Sequence, residues 1–257
     1  MEYKPVDLSV EEYGEGIPLV LLHGFPLNRT IWNPIIPLLK EKARLILPDL
    51  RGYGQTPDGE EIHSMRILAM DVAEMLDRMN IDKAIVCGHS MGGYAALAFA
   101  YAYPNRLSGL ALVASQAEAD TPERRQARYI TAREVRRRGI KYIADGMPSK
   151  LTHDEALQKQ LQGIIASCPV KSVEFSLKGM AERPDASDWL GQIKVPLVAI
   201  AGQDDQLIPL EKSHILARLV NKGWVVEVPG AGHVPMMEKP DEVANALAQL
   251  ICAATSC

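Results

Sequence analysis

The chain has 257 residues, 47% of them hydrophobic and 23% charged, with a formal net charge of −4. That length and balance suit one α/β domain with a large core, and the mild acidity argues against nucleic acid as a partner. No apolar run approaches the roughly 20 residues of a membrane helix, and the opening "MEYKPVDLSVEEYGEG" lacks the basic-then-apolar order of a secretory signal, so neither membrane insertion nor export is expected.

In chain order, Ile17 to Gly24 ("IPLVLLHG") is a continuous apolar run ended by glycine, as expected for a strand buried on both faces. "NRTIWNPIIPLLK" follows as a helix entering near Thr30 and interrupted by prolines, and "ARLILPDL" is the next strand. Met65, Leu68, Val72, Met75, Leu76 and Met79 have helical spacing, with Ser64 as N-cap. Then come the strand "KAIVCG", a turn at Ser90, a helix to about Tyr103 and the strand "LSGLALVAS". Such alternation calls for a mostly parallel central sheet with helices on both faces.

From Gln116 to Asp188 the rhythm breaks. "TPERRQARYITAREVRRRGIKYIADGM" and "THDEALQKQLQGIIASC" read as helices with no strand between them. Residues 116–188 are therefore expected as a helical lid inserted into a core made of 1–115 and 189–257. The core resumes with the strand "VPLVAIAG", the helix "EKSHILARLVN", the strand "WVVEV" and the helix "PDEVANALAQLI".

Gly88 and Gly92 flank Ser90 at the spacing G-x-S-x-G, where a strand changes to a helix. In a nucleophile turn of this kind glycines avoid clashes two positions either side of the serine, the hydroxyl rises above the sheet, and the Met91 N–H points at charge developing beside it. The plainer alternative is a glycine-rich connection whose serine caps the helix. A serine nucleophile needs a base, itself oriented by an acid. His233 in "GAGHVP" and Asp205 in "GQDDQLIP" each follow a strand, where catalytic groups of open α/β sheets collect. The order Ser90, Asp205, His233 is that of a known triad arrangement.

"HGFP" (His23 to Pro26), "PDLRGYGQT" (Pro48 to Thr56), "GHSMGG", "GQDDQLIP" and "GAGHVPMMEKPDEV" span nearly the whole chain. In that order they resemble the landmarks of the α/β-hydrolase superfamily. The short, cofactor-independent esterase-like members, relatives of enol-lactonases, carboxylesterases and perhydrolases, are the most similar. The resemblance implies Ser90 as nucleophile and His233 as general base and then general acid. The acid motif G-x-x-D-x-x-x-P falls on Gly202, Asp205 and Pro209, favouring Asp205 over Asp204. The oxyanion hole would be the backbone N–H groups of Phe25 and Met91. A serine at the turn argues against haloalkane dehalogenases and epoxide hydrolases, which carry aspartate there.

The implied activity is a serine hydrolase cleaving a small carboxylic ester or lactone through an acyl-enzyme, without metal or cofactor. Hydrolysis of a carbon–carbon bond in a ring-cleavage diketone is the alternative enzyme reading, and a non-catalytic ligand-binding member of the fold is the other. Pro26 after the oxyanion donor adds perhydrolysis as a side activity. Cys87, Cys168, Cys252 and Cys257 lack metal-ligand spacing and suit a reducing, cytoplasmic setting. His89 is read as a packing residue, His23 as orienting the oxyanion loop, and Asp49 and Arg51 as pinning a loop. His63, His153 and His214 have no partners at ligand spacing. The arginine run Arg124 to Arg138 either steers an anionic substrate or is a solvated helix face, the interspersed Glu123 and Glu134 favouring the latter. Met236 and Met237 are candidates for an acyl pocket, the alternative being that they fill gaps as methionines generally do.

Overall fold

The computed structural model describes residues 4–59 and 62–255, and Cys257 lies outside them. In chain order come β1 (Val10–Tyr13), β2 (Pro18–Leu22), α1 (Ile36–Leu39), β3 (Arg44–Pro48), α2 (Met65–Arg78), β4 (Ala84–His89), α3 (Met91–Ala102) and β5 (Leu107–Val113). Helices α4 (Pro122–Arg138), α5 (Lys141–Ala144), α6 (Pro148–Leu151), α7 (Glu155–Ala166), α8 (Val170–Ala181) and α9 (Ser187–Leu190) follow. The chain then returns to β6 (Leu197–Gly202), α10 (Leu210–Leu219), β7 (Gly223–Val228), α11 (Pro235–Glu238) and α12 (Pro240–Thr255).

One seven-stranded sheet runs β1-β3-β2-β4-β5-β6-β7. Its β1 edge is antiparallel, and every other neighbouring pair is parallel. All residues of β4 and β6 are buried, so both faces of the sheet centre are covered, as the unbroken apolar runs require. Each Val or Ile fully buried there contributes about 1.5–3 kcal/mol. β1 is not among the strands that apolar runs mark in the sequence. Its "VEEY" is a charged edge strand without an apolar run, a composition that also discourages pairing with another chain.

The proline-rich stretch departs from the expected helix. Asn28, not Thr30, caps it, and Arg29–Ile35 forms a 3₁₀ helix that gives way to the single turn of α1. Pro34 and Pro37 supply no N–H, so an i→i−4 ladder cannot run through the segment. By contrast α2 begins as expected. The Ser64 hydroxyl accepts the Ile67 N–H, a cap worth about 1 kcal/mol.

Because β2, β4, β5, β6 and β7 are mutually parallel, their carboxyl ends share one sheet edge. The pairs Leu22↔Gly88, His89↔Val113 and Gly202↔Val228 bring the turns after β2, β4, β6 and β7 to that edge. The four turns carry Phe25, Ser90, Asp205 and His233, distant in the chain but neighbours in the fold.

Candidate active site

Ser90 sits between β4 and α3 with φ 49° and ψ −111°. A residue with a side chain adopts such a backbone at a cost of about 1–3 kcal/mol, so its surroundings must impose it. The Ser90 N–H donates to the Val113 carbonyl at 2.9 Å, and its own carbonyl accepts the Ser115 hydroxyl at 3.0 Å. A Cβ on Gly88 would lie 2.2 Å from the Gly92 carbonyl oxygen, and one on Gly92 would lie 2.5 Å from that of Leu22. The spacing G-x-S-x-G is thus a steric requirement of three backbones meeting. The Ser90 side chain makes no capping bond to α3, which removes the plainer reading of it as a helix cap.

His233 lies in the turn after β7, with Nδ1 2.8 Å from Asp205 Oδ2. The other carboxylate oxygen accepts the Leu207 and Ile208 N–H groups at 2.7 and 3.1 Å, and the Asp205 side chain is 1% exposed. A carboxylate only accepts, so Nδ1 carries the imidazole proton and Nε2 is left bare. Backbone bonds from Gln203 to Val228 and from Asp204 to Ala231 join the two turns, and Gly202 lets them meet. Asp204 itself is exposed, so the choice between adjacent carboxylates is made by the direction of the turn.

Ser90 and His233 line one cavity of about 210 Å³. Phe25 and Tyr94 also belong to its wall, as do Leu207 and Ile208 beside Asp205. One face of α4 (Arg124, Ala127, Arg128 and Thr131) lines it, with Met147 and the α8 residues Leu177 and Met180. A larger cavity of about 630 Å³ shares only Tyr94 with it, and the Arg183 guanidinium stacks 4.1 Å from the Tyr94 ring centre. The expectation for Met236 and Met237 fails. Pro235 starts α11, which turns both methionines into the core, and Met147 and Met180 line the cavity instead. Helix α8 lies outside the two helical stretches expected between Gln116 and Asp188, although Val173, Leu177 and Met180 have helical spacing and are buried.

Met91 opens α3, so its amide lies at the positive end of that helix. Phe25 lies one residue past Gly24, whose position would set a Cβ 2.4 Å from His89 Nδ1. The Leu50 N–H donates to His23 Nε2 at 2.9 Å, so Nδ1 carries the proton and donates to the Gly24 carbonyl at 2.9 Å. Burial pushes the His23 pKa down and keeps it neutral. This fits the expected role of orienting the loop. Cys168 adds a thiol contact to the Pro26 carbonyl at 3.4 Å, and burial raises that thiol to about 12.

His89 does more than pack. Its Nε2–H donates to the His233 carbonyl at 2.7 Å, and the two rings lie 5.0 Å apart. Burial, and after it the electrostatic influence of the neighbouring His233 ring, holds its pKa well below the ordinary value, so it stays neutral. The His233 turn has two further clamps. Its N–H donates to the Leu151 carbonyl at 2.8 Å, and Glu238 accepts the Gly232 N–H at 2.9 Å and the Thr152 hydroxyl at 2.6 Å. Burial raises the pKa of Glu238. No local spacing marks Glu238, since its partners are set by the meeting of two turns.

Asp49 and Arg51 pin loops as expected. Asp49 accepts the Arg29 and Gln55 N–H groups, and Arg51 makes two bonds to the buried Asp71. His63 is a core residue held between Asp58 and Ser176, His153 is near Gln206, and His214 pairs with Glu227. Among the described residues, no helix is long and apolar enough to cross a membrane.

The model of the alpha/beta hydrolase family matches residues 19–246. An esterase from Thermogutta terrifontis, solved with malate bound, superposes with a TM-score of 0.93 at 36% identity, over 98% of this chain and 95% of that one. A pimeloyl-[acyl-carrier protein] methyl ester esterase of Aeromonas hydrophila is 29% identical over 92% of this chain and 96% of its own. A 2-hydroxy-6-oxo-6-(2'-aminophenyl)hexa-2,4-dienoic acid hydrolase of Metapseudomonas resinovorans is 25% identical over 94% and 86%, respectively. With a match over most of its length and the fold to go with it, this chain belongs to the alpha/beta hydrolase family.

Proposed function

We propose that this chain is a serine hydrolase that cleaves a small carboxylic ester or lactone through an acyl-enzyme. The observation that carries the reading is His233. Its Nδ1 is held by the buried Asp205 while the same ring lines a cavity with Ser90, which stands in a strained turn at the head of a helix. Ser90 Oγ attacks the carbonyl carbon, and the bare Nε2 of His233 takes its proton. Asp205 keeps the ring in that tautomer and stabilises the imidazolium as it forms. The N–H groups of Phe25 and Met91 hold the oxyanion, the α3 dipole adding to the second. His233 then returns the proton to the leaving alcohol, and water repeats the sequence on the acyl group.

Names of relatives support the ester reading, two of the three being esterases. The third is a hydrolase of a long dienoic acid bearing an aminophenyl group. A cavity of about 210 Å³ lies below the 300–1,000 Å³ typical of drug-sized ligands and favours a short acyl chain over such a substrate. The helices within residues 116–188 act as a lid that sets specificity, since α4 and α8 supply nearly half of the cavity wall.

A chain-length series of p-nitrophenyl esters, run beside a fluorophosphonate label, tests the proposal. Short esters should be cleaved and the label should land on Ser90. A chain that is folded but neither labelled nor active on esters or lactones would belong to the ligand-binding reading.

A further inference from the structure

We infer that the ester taken by this site carries a carboxylate, and that Arg124 on the lid is the group that binds it. The inference names a substrate class for the site proposed above and rests on that proposal. It begins with the spacing of α4, where Arg124 and Arg128 lie on the face that lines the Ser90 cavity. The other α4 arginines with described partners point elsewhere: Arg125 pairs with Glu182, Arg136 with Glu174, and Arg137 and Arg138 with Glu134.

The charges behind that face do not balance. Three guanidinium groups converge on the single carboxylate of Asp120, whose side chain is fully buried. Arg128 reaches Oδ2 at 2.5 Å and Arg183 reaches Oδ1 at 2.8 Å. Arg124 is left 3.5 Å from Oδ1 and 3.5 Å from Gln116 Oε1, at the edge of hydrogen-bond range for both. The nearby acids have other partners: Glu118 Oε1 meets Lys212, with its buried Oε2 left unpartnered, Glu182 meets Arg125, and Asp185 meets the Ala119 and Ser187 N–H groups. Asp205 is held by His233, and no carboxylate lines the cavity among the described residues.

Arg124 is therefore a permanent cation with two long contacts, five N–H donors and a 38% exposed side chain, facing an apolar chamber that holds the nucleophile. A carboxylate is the partner that its planar fork suits, through paired charge-assisted bonds strengthened by the apolar surroundings. The carboxylate belongs to the acyl part or to the alcohol part of the ester, and two matched substrate pairs separate these sources.

The first pair is mono-p-nitrophenyl glutarate against p-nitrophenyl pentanoate, and the second is 4-carboxyphenyl butyrate against 4-carbamoylphenyl butyrate. In one pair the anionic ester should have the higher kcat/KM by about tenfold, mainly through KM. Arg124→Gln should bring that ratio close to one, Arg124→Lys should keep part of it, and added salt should lower it. Calorimetric binding of glutarate and of butyrate to wild type and Arg124→Gln gives a readout without turnover. Ser90-dependent cleavage with no anionic preference in either pair, or a preference that survives Arg124→Gln, overturns the inference and leaves the hydrolase reading standing. Glutarate binding that needs Arg124, without fluorophosphonate labelling or cleavage of any ester or lactone, supports the anion site and removes the hydrolase reading. Neither cleavage nor binding removes both.

Discussion

The turn at Ser90 and the α4–α8 roof above it are built from opposite materials. At the turn, backbone meets backbone: Gly88 and Gly92 have no room for a Cβ, and the position of Ser90 follows from chain geometry. In the roof, side chains meet side chains, and Arg128 and Arg183 converge on the Asp120 carboxylate. A contact between backbones tolerates almost no substitution but keeps its geometry whatever the pH. A cluster of charged side chains can be re-tuned residue by residue, and it depends on protonation. The division suits a fold in which one reaction centre serves different substrates.

The contrast can be broken first at the turn. Ser90→Ala should lower kcat/KM for a short ester on the order of 10⁴-fold or more, with the melting temperature little changed, since alanine keeps the Cβ and with it the backbone strain. Steady-state kinetics and a thermal melt on one sample check both parts. Asp205→Asn should cost kcat by about 10⁴, because an amide permits the wrong imidazole tautomer, whereas the exposed Asp204→Asn should leave kcat within about twofold. Equal losses in the two variants would refute the assignment of the acid.

The roof should fail differently. Asp120→Asn leaves guanidinium groups without their buried counter-ion and should cost about 3 kcal/mol of stability at pH 7. Burial alone would raise the Asp120 pKa, but Arg128 and Arg183 outweigh it and hold the group below the usual carboxylate range. The stability it contributes is therefore complete above about pH 4 and is lost as pH falls through the lower folded value. Melting temperatures of the wild type and Asp120→Asn should converge as pH drops from 7 toward 3. The smallest expected effect is at His89. His89→Gln, which can still donate to the His233 carbonyl, should retain most activity, while His89→Ala should lose roughly tenfold in kcat as that turn loosens. If both variants matched the wild type, the His233 turn would be held by Leu151 and Glu238 without help from His89.

Much of the fold was legible because its signals are local. Apolar runs without alternation announced β2, β3, β4 and β6, and Ser64 announced the start of α2. The missed elements have physical reasons. Charged β1 owes its strand to pairing with β3 alone, and prolines forced 3₁₀ geometry where apolar spacing suggested an α-helix. Met236 and Met237 fell on the core side of a four-residue helix too short to show a face.

From the order of residues alone came the serine turn, the strand-end positions of Asp205 and His233, and the steric need for glycine, since each depends on neighbours within a few positions. Only the folded chain decided the pairing of His233 with Asp205, the clamps from His89 and Glu238, and the division of the arginine run between cavity and solvent. Those outcomes depend on which distant segments meet, and a helix face acquires its meaning from what packs beneath it. Arg124 and Arg125 are adjacent in the sequence, yet one lines the chamber of the serine and the other pairs with Glu182 outside it.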